Sequence, residues 1–129
     1  MKKEQQKFYV CKHCGNMIGF INNSGAPLVC CGEKMTELVP NTTDASQEKH
    51  VPVVAVEGNR VSVSIGSAPH PMLEEHYILW VYLQTKNGGQ RKVLAPGEQP
   101  HVEFLLTEDD EPQITYAYCN LHGLWKTEI

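Results

Sequence analysis

The chain has 129 residues, 41% hydrophobic and 20% charged, which is the composition of a folded globular protein and not of a disordered one. Its formal net charge of -4 argues against general nucleic-acid binding, which needs a basic face. No apolar run approaches the ~20 residues of a membrane-spanning helix, and the polar start from Met1 to Lys7 has no apolar segment behind it, as a secretory signal would. The expected compartment is therefore the cytoplasm. There thiols stay reduced, and clustered cysteines read as metal ligands more readily than as disulfides.

Residues 1–38 read as one small unit. Phe8-Tyr9-Val10 is a short strand leading into Cys11, Met17 to Ile21 is a second apolar run, and Pro27-Leu28-Val29 leads into Cys30-Cys31-Gly32. So few residues cannot build an adequate hydrophobic core, and such units are usually stapled by a metal or by disulfides. Residues 39–49 are polar and aperiodic and read as a linker.

From residue 50 to residue 129 the pattern is all-β, with no convincing helix and no repeat. Val51 to Val56 is a candidate strand, and Arg60 to Ile65 alternates polar and apolar strictly, as a strand does when one face is buried. Tyr77 to Leu83 is β-branched and aromatic, and Asn87-Gly88-Gly89 after it is a hairpin signal. Further strands are expected at 91–95, 101–107, 114–119 and 124–127. About seven short strands at this spacing predict a β-sandwich.

The cysteines and histidines fall into two sets. Cys11-Lys12-His13-Cys14-Gly15 is a metal knuckle: two thiolates two residues apart can bind one ion from a tight turn, and the glycine gives that turn its backbone freedom. Cys30 and Cys31 complete a tetrathiolate, but adjacent side chains in an extended chain point apart, so the backbone must bend there. Tetrahedral sulfur suits zinc and iron alike, and on ligand pattern alone neither is favoured. A vicinal Cys30–Cys31 disulfide is a further alternative. His13 is read as a surface residue, because four thiolates already fill the site.

The second set is His50, His70, His76, Cys119 and His122. Cys119 and His122 follow an apolar strand and open a turn containing glycine, so both can converge on one ion. The other three flank strands, where a rigid scaffold can aim them inward. His101, between Pro100 and Val102, is read as an ordinary surface or core residue. Four imidazoles and one thiolate are too many for structural zinc, which prefers four ligands. They suit iron(II) with four nitrogens in a plane, an axial sulfur and an open sixth position, and an axial thiolate pushes electron density onto the metal.

These motifs resemble those of the desulfoferrodoxins, the two-iron form of superoxide reductase, over nearly the whole chain. The N-terminal cysteines resemble a desulforedoxin module. Glu48-Lys49-His50-Val51-Pro52, His70-Pro71-Met72, Glu75-His76 and the run from Cys119 to Trp125 resemble the catalytic iron motifs. The resemblance implies a rubredoxin- or desulforedoxin-like knuckle followed by an immunoglobulin-like β-sandwich, two iron ions per chain and a homodimer. It also implies that His50, His70, His76 and His122 hold the equatorial plane and Cys119 the axial position. The implied reaction is one-electron reduction of superoxide to hydrogen peroxide without release of dioxygen, with rubredoxin or a similar small carrier as electron donor. Lys49 would attract the anion and orient a proton-delivering water, and Glu48 would occupy the sixth position after turnover.

Two other readings compete. A cupredoxin-like electron carrier also sets a late cysteine and histidine on a β-sandwich, but blue copper wants two histidines and a weak axial methionine, and no methionine follows His122. A zinc-binding interaction module explains the knuckle and leaves the second set idle.

Overall fold

The computed structural model describes residues 4–129; Met1, Lys2 and Lys3, part of the polar start, lie outside the described residues. The chain forms two compact units, one of Glu4–Val39 and one that begins at Pro40 and runs to Ile129.

The small unit has strands β1 (Phe8–Val10), β2 (Met17–Gly19), β3 (Val29–Cys30), β4 (Glu33–Lys34) and β5 (Thr36–Leu38). A three-stranded antiparallel sheet runs in the order β2-β1-β5, and β3 and β4 form a separate ribbon. Phe8 and Cys11 are its buried residues in the apolar class. That is too little apolar surface to specify a fold of this size, so the cysteines remain its natural staple.

In the large unit a single helical turn, α1 (Gln47–His50), precedes seven strands: β6 (Pro52–Glu57), β7 (Arg60–Ile65), β8 (Ile78–Thr85), β9 (Gly88–Val93), β10 (His101–Leu105), β11 (Pro112–Cys119) and β12 (Gly123–Glu128). They pair as two antiparallel sheets, β10-β7-β6 and β12-β11-β8-β9. Val61, Val63 and Ile65 of β7 and Phe104 of β10 meet Val81 and Leu83 of β8 and Ala117 and Cys119 of β11 in one core. All of these are at most 1% exposed, so the sandwich is held by its inner faces. The strict alternation of Arg60 to Ile65 matches β7 residue for residue, with Val61, Val63 and Ile65 buried.

Two features depart from the sequence-based expectation. The hairpin loop between β8 and β9 is Lys86-Asn87, because Gly88 already pairs with Thr85. The polar stretch before residue 50 contains α1 and is tied to β12. There the Asn41 backbone N–H donates to Leu124 O at 3.0 Å, the Lys126 N–H donates to Asn41 Oδ1 at 2.8 Å, and Asn41 Nδ2 donates to Lys126 O at 3.3 Å. One asparagine thus acts as a short extra strand along β12 and fixes the origin of the segment that carries Glu48, Lys49 and His50.

Candidate metal centres

Cys11 and Cys14 come from the turn after β1, where Gly15 N–H donates to Cys11 O at 2.8 Å and Gly15 adopts φ +82°. Cys30 ends β3, and the bend expected at the adjacent pair is present: Cys31 has φ +53° and Gly32 φ +78°. The four sulfurs lie within 4.8 Å of one another. Cys14 Sγ is 3.6 Å from Cys30 Sγ, which is 4.0 Å from Cys31 Sγ. A tetrahedron with metal–sulfur bonds of ~2.3 Å has edges of ~3.8 Å, so the set is already spaced for an ion. A disulfide needs ~2.0 Å; all five cysteines are free thiols, which removes the vicinal disulfide.

The electrostatics agree with this spacing. Cys11 is lowered to about 6, first by the Cys14 backbone N–H and then by that of His13, with burial opposing. Cys30 is raised, first by Cys14, and Cys31 is pushed up to about 12, first by Cys14 and then by Cys11 and Cys30. One sulfur ionises readily and its neighbours then resist, so only a cation allows all four to become thiolates. His13 makes a 3.0 Å contact with Glu33 on the exposed rim.

The second set gathers in the sandwich. His50 ends α1, Cys119 ends β11, and His122 stands in the three-residue loop to β12, where Cys119 pairs with Gly123. One donor atom from each of His50, His76, Cys119 and His122 falls within 4.8 Å of the others. His70 is not in that set, but its ring centroid is 4.7 Å from those of both His50 and His76. His50 Nδ1–H donates to Ser46 O at 2.6 Å, and His70 Nδ1–H donates to Pro71 O at 2.7 Å. Each bond fixes the tautomer and leaves Nε2 with a free lone pair, as a metal ligand requires.

Among the described residues, the buried Nε2 atoms of His70 and His76 have no hydrogen-bond partner. His50 Nε2 faces His122 Nδ1 at 3.1 Å, close to the ~3.0 Å between neighbouring nitrogens on a metal with ~2.1 Å bonds. Burial comes first in lowering His50, His70 (to about 4) and His76, so all three stay neutral and able to ligate. The Lys49 charge is a further cause at His50 and His76, which places that ammonium within electrostatic reach of the pocket. Burial raises Cys119, while the N–H groups of Leu121 and His122 oppose it and would favour a thiolate once a cation arrives. Buried nitrogens without partners, fixed tautomers and one sulfur are what an iron site with nitrogen and sulfur ligands needs.

Glu48 and Lys49 sit on α1. The Glu48 carbonyl accepts from Ala68 N–H at 2.9 Å and from Ser67 Oγ–H at 3.2 Å. Gly66 passes so close that a Cβ there would lie 2.6 Å from Glu48 O, so a side chain at residue 66 would displace this turn. His101 stays outside both sets; it accepts from or donates to Ser64 Oγ at 2.8 Å and lies 3.6 Å from Glu103.

Three supporting residues were given no role of their own from sequence: Ser46 and Pro71, which orient rings through backbone carbonyls, and Trp125, which stacks on His50 and donates Nε1–H to His122 O at 3.1 Å. Carbonyl partners carry no side-chain signature. Pro71 and Trp125 stand inside the motif runs that carry the resemblance, which marks their positions but not what they touch.

A tetrathiolate knuckle joined to an antiparallel sandwich with a pocket of imidazoles and one thiolate defines a two-centre non-haem metalloprotein. Residues 42–128 match the desulfoferrodoxin family, and residues 3–38 match the desulfoferrodoxin N-terminal domain. The chain is 42% identical over 124 residues to the desulfoferrodoxin of Nitratidesulfovibrio vulgaris, covering 96% of this chain and 97% of that one. It is 43% identical over 124 residues to the desulfoferrodoxin homolog of Archaeoglobus fulgidus, covering 96% and 98%. The crystal structure of the superoxide reductase from Treponema pallidum superposes with a TM-score of 0.82 at 39% identity, covering 97% of this chain and all of that one. The chain belongs to the desulfoferrodoxin family.

Proposed function

We propose that the chain is a superoxide reductase with two iron centres, in which Cys11, Cys14, Cys30 and Cys31 hold the first iron and His50, His70, His76, His122 and Cys119 hold the second. The observation that carries this reading is the second donor set: donor atoms of His50, His76, His122 and Cys119 lie within 4.8 Å of one another, and the buried Nε2 atoms of His70 and His76 have no hydrogen-bond partner among the described residues. The family and the likeness to the Treponema pallidum enzyme support the activity. Iron bound in the second site supplies the electron by which superoxide, with two protons, becomes hydrogen peroxide.

The protein's own groups do the rest. Superoxide is an anion and the chain is net negative, so a local positive charge must draw it in, and Lys49 provides one. The Lys49 ammonium also orders a water from which protons reach the product. Glu48, on the same turn, would serve as a further carboxylate ligand to the second iron after turnover. The carbonyls of Ser46 and Pro71 hold the imidazoles in one tautomer throughout.

A small donor protein such as rubredoxin returns the electron, and the chain works as a homodimer in the cytoplasm. Among the described residues no helix is long and apolar enough to cross a membrane.

Pulse radiolysis with product analysis tests the activity. A reductase supplied with reductant yields one peroxide per superoxide and no dioxygen. Dioxygen release at half the superoxide consumed would mean dismutation, and no acceleration at all would leave a binding protein.

A further inference from the structure

The four imidazoles are not held alike. His50 and His70 are aimed through their own ring N–H groups, by the carbonyls of Ser46 and Pro71. His122 is fixed by the short loop between β11 and β12. His76 lies in the segment between β7 and β8, in an isolated bridge with Leu73, and its buried Nε2 has no partner among the described residues.

What grips its segment is Asn120. Asn120 Oδ1 accepts from Tyr77 N–H at 3.0 Å, Asn120 Nδ2 donates to Glu75 O at 3.0 Å, and Asn120 N–H donates to Tyr77 O at 3.3 Å. One amide therefore holds the backbone immediately before and immediately after His76. It does so from the loop that also carries Cys119 and His122.

We propose that Asn120 is a positioning residue for the second metal centre, locking the His76 imidazole to the Cys119–His122 loop so that these three donors keep one geometry. The proposal rests on the ligand assignment given above. An amide is needed because the two backbone groups differ: one must be accepted from and the other donated to, and no carboxylate or hydroxyl of similar reach presents both in that arrangement. The two contacts span 43 and 45 residues of sequence, so they tie elements that no local turn would hold together.

The test uses the full chain loaded with iron, comparing wild type with Asn120→Ala, Asn120→Asp and His76→Ala. The readouts are the rate of iron release to a ferrous chelator and the position of the sulfur-to-iron charge-transfer band. The spectrum of the first centre serves as an internal control. Asn120→Ala is expected to release the second iron about ten- to a hundredfold faster, the range for loss of a group that orients a ligand. It also shifts the band, with the first centre unchanged.

Asn120→Asp has the same shape and keeps the acceptor for Tyr77 N–H but sets an oxygen against Glu75 O, so it too releases iron faster. Should Asn120→Ala fail to fold, the Asp variant decides. Wild-type release and an unmoved band in the Asn120 variants, with the band altered in His76→Ala, would overturn the proposal. An unaltered band in His76→Ala would instead overturn the ligand assignment.

Discussion

The indole of Trp125 stacks on the imidazole of His50, with ring centroids 5.0 Å apart and planes 26° from parallel. The same indole donates Nε1–H to the carbonyl of His122 at 3.1 Å, so one buried side chain braces the His50 imidazole and the His122 backbone. Trp125 is 1% exposed. Trp125→Ala should therefore lower stability by about 3–5 kcal/mol, as large-to-small changes in a core do, and should loosen the second metal. Trp125→Phe keeps a stacking face but loses the N–H and part of the ring volume, so it should cost less than the alanine change. Thermal unfolding and metal content of both variants check this. Equal effects of the two substitutions would mean that the stack contributes little beyond the hydrogen bond.

The role proposed for Lys49 includes action at a distance, through charge. Its ammonium is felt at His50 and His76 in a protein whose net charge would otherwise repel an anion. Lys49→Ala is expected to slow the reaction with superoxide about tenfold, the lower end of electrostatic steering, and to flatten its dependence on ionic strength. Both irons should remain bound. The second-order rate measured over a range of salt decides: a rate and a salt slope unchanged from wild type would remove Lys49 from the mechanism.

The first centre carries its own electrostatic device. Gly15, at φ +82°, returns the chain so that Asn16 Nδ2–H donates to Cys30 Sγ at 3.7 Å. A donor on a ligand sulfur favours the more negative, reduced form of an iron tetrathiolate and so raises its potential. Asn16→Ala should lower the first midpoint potential, and Asn16→Asp should lower it further by replacing the donor with a negative charge. The backbone bond from Cys11 N–H to Asn16 O survives in both. Redox titration followed in the visible bands reads the first potential, with the second centre as reference; identical potentials in all three proteins would assign Asn16 no such role.

How much of this was legible follows from what each feature depends on. Strands with a buried face and a polar face announce themselves, and β7 is matched residue for residue because Val61, Val63 and Ile65 face the core while Arg60, Ser62 and Ser64 do not. The two donor sets were visible because metal sites need particular side chains, whatever backbone carries them. The strands β4 and β5 were missed, since Glu33–Lys34 and Thr36–Leu38 are too short to show a period and exist through pairing, as Phe8 with Leu38 shows. The single turn α1 escaped for the same reason. The hairpin loop slipped back from Asn87-Gly88-Gly89 to Lys86-Asn87 because of long-range bonds: Lys86 N–H donates to Glu111 O at 2.8 Å and Asn87 N–H to Asp110 Oδ1 at 3.0 Å. What the sequence hid were backbone partners and contacts across the fold, which leave no mark on local residue pattern.

The outer face of the β12-β11-β8-β9 sheet gives a pH dependence of its own. Trp80 stacks on Tyr118 with planes 10° apart and centroids at 5.8 Å, and Tyr82 lies beside Tyr116 at 6.2 Å. Burial pushes the Tyr116 phenol up to about 12, with the charges of Tyr82 and Glu128 adding to it. Tyr82 and Tyr118 are raised as well, both first by burial. A phenol in the unfolded chain ionises near ~10. Between that value and about 12 the unfolded state therefore holds fewer protons than the folded one, and stability must fall as pH rises. Below the unfolded value both states are protonated and the effect vanishes. Thermal unfolding from neutral pH upward should show a flat midpoint that declines once the pH passes ~10. Absorbance at the phenolate band should rise in a late wave from these three tyrosines, coincident with that loss. A single early wave complete before the midpoint begins to move would show that the three phenols are already ionised in the folded protein, contrary to their burial.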